Sequence, residues 1–261
     1  MKKETLSMLC SPKTHEPLKL IKENGQEFLV SEKPLEKFLL RDSIPIFIHE
    51  EEILGLNKKY QQMYDRIALG YDFFEKIATF FMKKNQKEIR AELIKELEIR
   101  ENDRILETSI GTGINLKYIP RPVNYFGIDI SWGMLKKCLK NMKHWGLNAE
   151  LFLCEAEFLP FRDKVFDIVW HMGGINFFND RAQAIGEMIR VAKSGTKIVI
   201  IDETEKHSKS AYEKIPFVRR FYKNRDKMIS APVELVPEEM LDIQVKELWN
   251  GRLYCLTFRI P

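Results

Sequence analysis

A chain of 261 residues can bury one substantial core and a small additional unit. Its formal net charge of +4 is too small to indicate nucleic-acid binding by itself. The charged N-terminus lacks the apolar stretch of a signal peptide, and no apolar run is long enough for a transmembrane helix. Four cysteines without paired spacing predict neither a disulfide framework nor a zinc site. Together these features predict a soluble protein of the reducing cytoplasm.

Residues 1–50 are predicted to form a small β-rich domain. Short apolar runs lie at 18–21, 28–30 and 44–48, and Asn24-Gly25 between two of them is a hairpin signal. The strings MLCSPKTHEPL (8–18) and FLVSEKPLEKFLLRDSIPIFI (28–48) resemble the zinc-ribbon-like domain of the tRNA-methyltransferase activator family. Only Cys10 fills a ligand position of that pattern, since Lys13 and Ser31 stand where cysteines would be. We therefore expect a ribbon-like domain without metal ligands that caps the rest of the chain.

Residues 51–100 are predicted to form a helical N-terminal cap, because apolar residues recur near a 3.6-residue period from 75 to 97. The following part, 101–261, is predicted to be an α/β core. A strand at 104–107 runs into the turn 109–113, a helical segment follows, and a second strand at 125–130 carries Asp129 near its end. Glycines in such a turn let backbone N–H groups approach a ligand, and an acid at the second strand end suits ribose hydroxyls. The pattern predicts a nucleoside-containing cofactor.

The turn reads E-T-S-I-G-T-G and does not match the dinucleotide fingerprint, because its third glycine is missing. Glu107 is a poor neighbour for a pyrophosphate and a reasonable one for a cationic ligand such as the sulfonium and ammonium of S-adenosylmethionine. The residues resemble motif I of the class I S-adenosylmethionine-dependent methyltransferases, with Ser109 in the first glycine position. A doubly wound domain that binds another nucleotide is the alternative.

Four further segments resemble that family in the same order. GIDIS (127–131) with Met134 is similar to the ribose strand and the residue beside adenine, and CEAEFLPF (154–161) places Glu155 at the acceptor of the adenine amine. VFDIVW (165–170) is similar to the fourth strand, and 188–202 to the helix, turn and fifth strand. Alternating segments at 240–247 and 252–259 are predicted to be the last two strands, paired through an Asn-Gly turn.

The resemblance implies a Rossmann-like, seven-stranded doubly wound sheet whose last strand is antiparallel, and S-adenosylmethionine as the cofactor. Residues 63–72, MYDRIALGYD, resemble the segment that folds over the cofactor in the ubiquinone/menaquinone-biosynthesis group (methyltransferase type 11). This implies that Tyr71 lies near the methionine carboxylate and is a candidate catalytic residue; a packing helix with half-buried Tyr64 and Tyr71 is the alternative. The predicted cofactor-binding residues are Tyr71, Glu107, Ser109, Gly111, Gly113, Asp129, Ile130, Met134, Glu155, Ala156 and His171.

The acceptor side should lie beyond the carboxyl ends of the strands. His171, just past the fourth strand, is the candidate general base; the alternative is that it lines the cofactor through its backbone, with its ring packed or hydrogen-bonded. Asp202 and Glu203 are secondary candidates. An apolar acceptor pocket could be built from Phe73, Phe74, Phe177, Phe178 and Phe217. The stretch 204–235 is predicted to be a substrate-side insertion, and between 206 and 227 it carries eight basic and two acidic residues. This suits an anionic substrate, a phospholipid headgroup or RNA, while a solvated basic helix is the commoner explanation.

These observations predict an enzyme that transfers a methyl group from S-adenosylmethionine to a small-molecule or lipid acceptor. An rRNA or tRNA base methyltransferase is the second hypothesis, supported by the ribbon-like N-terminus and the basic segment. Against it, no N-P-P-Y-type sequence follows the fourth strand. A non-catalytic module that binds the cofactor or a partner is the third hypothesis. The sequence carries no signal for an oligomeric state.

Overall fold

The computed structural model describes residues 1–49, 51–68, 70, 86–205 and 230–261, with the side chains of 86–89 left aside. Its N-terminal part contains the short helix α1 and a four-stranded antiparallel sheet in the order β1-β2-β3-β4. These elements are α1 (Lys3–Met8), β1 (Lys19–Glu23), β2 (Gln26–Glu32), β3 (Leu35–Arg41) and β4 (Ile44–Pro45). The predicted β-rich N-terminal unit is therefore present, with Asn24-Gly25 in the turn between its first two strands.

The rest of the described chain alternates strands with helices. The strands are β5 (Arg104–Thr108), β6 (Asn124–Asp129), β7 (Glu150–Leu153), β8 (Ile168–Met172), β9 (Lys197–Glu203), β10 (Leu241–Leu248) and β11 (Leu253–Arg259). The helices are α2 (Gly55–Ile67), α3 (Gln86–Lys95), α4 (Trp132–Trp145) and α5 (Arg181–Val191). Short 3-10 helices lie at Ile114–Lys117, Ile175–Phe177 and Val233–Leu235.

Seven of these strands form one sheet in the order β10-β11-β9-β8-β5-β6-β7. The five strands from β9 to β7 are parallel, whereas β11 runs antiparallel to both β9 and β10. The central strands read as nearly continuous apolar runs and are buried along most of their length, as expected of a sheet covered on both faces. The predicted Rossmann-like sheet with an antiparallel last strand is confirmed.

Two hydrophobic cores lie on opposite faces of this sheet. One is shared by α5, the sheet and the N-terminal unit, and it joins Leu29 and Phe38 to Phe152 and Phe161. The other is formed with α3 and α4 and includes Leu93 and Leu135. The domain bounds at residues 50 and 100 are not tested by this packing and stay predictions, but the N-terminal unit and the sheet share their buried side chains.

The N-terminal unit also pairs with the backbone of the larger sheet. Ile46 forms a parallel bridge with Leu153, and the amide of Phe47 donates to the Leu153 carbonyl at 2.8 Å. Leu9 forms an antiparallel bridge with Phe161. The contacts of Ile46 and Phe47 with Leu153 partly cover the edge strand β7, which would otherwise present unpaired N–H and C=O groups.

The segment after the motif turn differs from its prediction. A helix was expected there, and the structure has only the 3-10 helix Ile114–Lys117 before the chain turns into β6. Pro120 and Pro122 follow closely and cannot continue a helix, which explains the short element.

Candidate active site

A cavity opens at the carboxyl ends of β5, β6, β8 and β9, where a parallel sheet of this type binds its ligands. Its wall combines the motif turn, the ends of these strands and one side of α2. Seven of the eleven predicted cofactor-binding residues line it: Ser109, Gly111, Asp129, Ile130, Met134, Glu155 and Ala156. The sequence thus located one side of the cavity, from segments that are far apart along the chain.

The motif turn is held by backbone and side-chain hydrogen bonds. The amides of Ser109 and Ile110 donate to the carbonyl of Ile128 at 3.0 and 2.8 Å, and the amide of Gly111 donates to Asp129 Oδ2 at 2.8 Å. Ser109 adopts a φ of 90°, which costs a non-glycine residue strain and explains why the related motif has glycine there. Gly113 does not line the cavity; a Cβ on it would lie 2.6 Å from Cys138 Sγ, so this glycine allows α4 to pack closely.

Asp129 stands at the end of β6 on the cavity wall. Its Oδ1 accepts the amide of Ser131 at 2.9 Å, in addition to the Gly111 bond on Oδ2. Burial raises the pKa of the Asp129 carboxyl to about 6, against the lowering effect of these backbone hydrogen bonds. A carboxylate has about four lone-pair sites, so Asp129 keeps capacity to accept a ribose hydroxyl.

Helix α2 closes the cavity over the predicted adenine side. Asn57 Nδ2 donates to Glu155 Oε1 at 2.8 Å and to Glu157 Oε1 at 3.0 Å. Asn179 and Asn57 bond reciprocally: the amide of Asn179 donates to Asn57 Oδ1 at 3.1 Å, and the amide of Asn57 donates to Asn179 Oδ1 at 3.4 Å. Burial raises the pKa of Glu155, and the Asn57 hydrogen bond opposes this rise. No sequence signal pointed to Asn57, because its role depends on where α2 docks.

The other end of α2 is fixed by a carboxylate. Asp65 Oδ1 accepts the Ser131 hydroxyl at 2.6 Å and the amide of Gly133 at 2.7 Å, at the first turn of α4. An acidic group is favourable at a helix N-terminus. Asp65 belongs to the segment that resembled the cofactor-covering element, and that resemblance was the available signal for its position.

Aromatic side chains form the next part of the wall. Tyr60 of α2 stacks on Phe177 with ring centroids 4.3 Å apart and an interplanar angle of 22°. Tyr64 and Phe178 also line the cavity. Of the aromatic residues predicted for an acceptor pocket, Phe177 and Phe178 are therefore at the site, whereas Phe73, Phe74 and Phe217 lie outside the described residues, as do Tyr71 and the basic segment.

Glu107 lies beneath the motif turn and is not on the cavity wall. It is fully buried, and its carboxylate accepts the Tyr125 hydroxyl at 2.7 Å and the side-chain amide of Asn115, to which Arg90 donates in turn. Burial raises the pKa of Glu107 to about 7, opposed by these hydrogen bonds. The structure thus gives Glu107 internal partners in place of the predicted contact with a cationic ligand.

His171 does not line the cavity either. Its ring is fully buried, Nδ1 lies 3.1 Å from Thr108 Oγ1, and Nε2 has no hydrogen-bond partner among the described residues. The ring packs edge-on against Phe178, with centroids 5.3 Å apart. Burial lowers the pKa of His171 to about 4. This is the packed environment that the sequence left open as the alternative to a base, and it gives the ring no place on the cavity wall.

Asp202 and Glu203 do line the cavity, at the end of β9. Asp202 is 4% exposed, and its Oδ2 accepts the amides of Gly174 and Asn176 at 3.2 and 3.1 Å. Burial raises the pKa of the Asp202 carboxyl to about 7, and the charge of Glu203 adds to this rise. The wall therefore carries a titratable group on the side away from Asp129.

Metal and membrane features were sought in the described ranges. No group of three or more His, Cys, Asp or Glu side chains there is arranged to hold a metal ion, and Cys10 is buried. No helix among the described residues is both long and apolar enough to span a bilayer.

Comparison with known proteins agrees with this geometry. Residues 106–200 match the family model described as a methyltransferase domain. The chain is 31% identical over 153 residues to the ubiquinone/menaquinone biosynthesis C-methyltransferase UbiE of Geotalea daltonii, and 30% identical over 152 residues to the demethylmenaquinone methyltransferase of Thermotoga maritima. The first alignment covers 56% of this chain and the second 57%, and both cover 63% of the relative, so the match spans less than two thirds of either relative.

Solved structures share the fold at low sequence identity. The [4+2]-cyclase SpnF has a TM-score of 0.59 at 15% identity, over 77% of this chain and 96% of that one. An S-adenosyl-L-methionine-dependent methyltransferase described as putative, from Methanococcus maripaludis, has a TM-score of 0.57 at 20% identity, over 80% of this chain and 95% of that one. Residues 106–200 therefore match a methyltransferase domain, and the chain shares the fold of these two solved structures.

Proposed function

We propose that this protein transfers a methyl group from S-adenosylmethionine to a small, planar, quinone-like acceptor. The observation that carries the proposal is the single cavity in which the motif turn, Asp129 and Glu155 meet an aromatic wall. Relatives named as ubiquinone/menaquinone C-methyltransferases support this reaction class. The absence of paired cysteines supports a reducing compartment such as the cytoplasm as its setting.

The residues present fit the cofactor. Asp129 offers carboxylate oxygens for ribose hydroxyls, and Glu155 offers an acceptor for the adenine amine. Gly111, with its φ of 56°, leaves open space at the turn where a ligand can approach the backbone. When bound there, S-adenosylmethionine supplies a methyl group that its sulfonium has already activated.

The residues of this chain then position the acceptor and cover the site. The Tyr60–Phe177 stack and Phe178 present flat apolar surfaces that suit an aromatic acceptor. Helix α2 covers one side of the site and is held there through Asn57 and Asp65. Orienting two reactants in this way can supply about 7–11 kcal/mol of a barrier at best.

The test has two stages. Calorimetry should show micromolar binding of S-adenosylmethionine and S-adenosylhomocysteine to the wild type, and binding at least tenfold weaker in Asp129→Ala. Methyl transfer to chemically reduced 1,4-naphthoquinone is then measured by mass spectrometry. Failure to bind either ligand would refute the cofactor proposal, whereas binding without transfer to naphthoquinol or benzoquinol would refute the acceptor class.

The other hypotheses have less support. The basic segment that favoured RNA lies outside the described residues, and no described contact favours a nucleic-acid acceptor. A solved structure with this fold is named as a cyclase, so the fold alone does not establish methyl transfer. Cofactor binding without methyl transfer in the second stage of the test would favour a non-catalytic role.

A further inference from the structure

The turn that follows β8 joins two parts of the cavity wall. Gly174, with a φ of 108°, starts the 3-10 helix Ile175–Phe177, whose end supplies the aromatic residues Phe177 and Phe178. The same turn donates the amides of Gly174 and Asn176 to Asp202 Oδ2. One local structure therefore sets both the aromatic surface and a buried carboxylate beside it.

The hydrogen bonds leave Asp202 with one open acceptor position. Both lone pairs of Oδ2 are used by the two amides, and Oδ1 accepts the amide of Glu203 at 2.8 Å. Since each carboxylate oxygen has two lone-pair sites, the remaining one is on Oδ1. Three backbone bonds fix the orientation of the group, so it needs no rearrangement to receive a proton.

The carboxylate also lies on the acceptor side of the cavity. Asp202 ends β9 and Asp129 ends β6, and β8 and β5 run between these strands. Three inter-strand spacings put the two acids roughly 14 Å apart. Asp129 belongs to the proposed cofactor side, so Asp202 faces the part of the cavity left for the acceptor.

We propose that Asp202 is the general base of the reaction and that its Oδ1 accepts the proton from a ring hydroxyl of the acceptor. This rests on the proposed function. The O–H bond breaks and its proton passes to Asp202, while the electron pair enters the ring and the adjacent ring carbon forms a bond to the methyl group. The S–CH3 bond breaks with its electrons on sulfur. The ring carbon then loses its hydrogen as a proton and the oxygen regains one, so that one proton is released overall.

The surroundings keep this base usable near neutral pH. Among the described residues, the titratable groups against Asp202 are Glu203 beside it and Tyr254, which is opposite it on β11. Tyr254 donates to Asn176 Oδ1 at 3.3 Å, and the Asn176 side chain donates to the Glu203 carbonyl at 3.2 Å, so both neighbours belong to one network. A base whose pKa lies near 7, as burial sets it here, is about half ionised at neutral pH and is strong enough to take a proton.

The first test compares Asp202→Asn with the wild type and with Asp242→Asn, a substitution on the exposed edge strand β10. With S-adenosylmethionine and reduced 1,4-naphthoquinone, we expect kcat to fall about 10²–10⁴-fold in Asp202→Asn, with S-adenosylhomocysteine affinity within threefold of wild type. The wild-type rate should rise with pH through about 7, and the variant should lose this dependence. The assignment is overturned if Asp202→Asn keeps the wild-type rate or pH dependence. It is also overturned if Glu203→Gln, and not Asp202→Asn, loses them.

A binding measurement decides the matter without turnover. Fluorescence titration of 1-naphthol and naphthalene into the S-adenosylhomocysteine complex compares ligands with and without a hydroxyl. We expect 1-naphthol to bind the wild type more tightly above pH 7 than below it, and to bind Asp202→Asn without this pH dependence. Naphthalene should bind the two proteins equally. If naphthol binding shows no dependence on Asp202, the proposal is overturned, even where the wild type methylates quinols. If naphthol depends on Asp202 but no quinol is methylated, the function proposed above fails instead.

Discussion

The side-chain amide of Asn57 lies 2.8 Å from Glu155, the carboxylate that the sequence predicts as the acceptor of the adenine amine. The same amide also bonds Glu157 at 3.0 Å. A single NH2 group from α2 therefore bridges two neighbouring carboxylates, with the donor chemistry that an exocyclic amine would bring. This contact couples the position of α2 to the predicted adenine side of the cavity.

Asn57→Ala should lower both stability and cofactor affinity. The substitution leaves two carboxylates without their shared donor and removes one of the two acceptors of the Asn179 amide. Leaving buried polar groups unpaired costs about 1–3 kcal/mol each, so we expect an unfolding free energy lower by about that amount in urea titration. S-adenosylhomocysteine should bind several-fold more weakly by calorimetry. Gln62→Ala, on the exposed face of the same helix, is the control, and an equal effect there would contradict the role of Asn57.

Glu107→Gln should change how stability depends on pH. Burial raises the pKa of Glu107 in the folded protein to about 7, above its ordinary value of 4.5. Between these values the folded state holds a proton that the unfolded state has lost, so the wild type loses stability as pH rises from 4.5 to 7. Relative to the variant this loss should reach at most about 3 kcal/mol. Urea titrations at pH 5, 6 and 7.5 measure it, and a constant difference between the two proteins would contradict the prediction.

His171→Leu should have the opposite effect on acid stability. The folded-state pKa of His171 is lowered to about 4 from 6.5, so between these values the unfolded state binds a proton that the folded state excludes. The wild type therefore loses stability as pH falls from 6.5 to 4, and leucine removes this loss. Because Nε2 bonds to no residue in the described part of the chain, its replacement by leucine leaves no new unpaired group there. The melting temperature should differ less between pH 4.5 and pH 7 in the variant than in the wild type. An equal difference in the two proteins would contradict the lowered pKa of His171.

Phe47→Ala should destabilise the whole protein. Phe47 is 5% exposed, packs on Phe38 at 4.9 Å between ring centroids, and shares its core with the large sheet. Truncating a buried phenylalanine costs about 3–5 kcal/mol. We expect one cooperative unfolding transition, shifted to lower denaturant in the variant. Two separate transitions, of which only one moves, would show instead that residues 1–50 unfold independently. Leu35→Ala, an exposed position in β3, is the control.

Local sequence was sufficient for the parts of the site that lie within single segments. The turn 109–113, Asp129 at a strand end and Glu155 just past the next strand follow from short patterns, because each side chain sits at or beside the carboxyl end of its own strand. Their meeting in one cavity follows from the parallel order of the strands. The fold was predictable for the same reason, since five segments occur in a characteristic order along the chain.

Tertiary structure decided the rest. Side chains alternate between the two faces of a strand, and the motif does not say how each face is covered; Glu107 was thereby enclosed by Tyr125 and Asn115, and His171 by Thr108 and Phe178. Asn57 and Tyr60 reach the cavity only because α2 docks more than 90 residues away along the chain, on the turns after β7 and β8. Asp202 gained its raised pKa from burial, and two of the three amides that fix its orientation follow a different strand. Sequence determined which groups could serve the chemistry, and burial and docking determined which of them face the cavity.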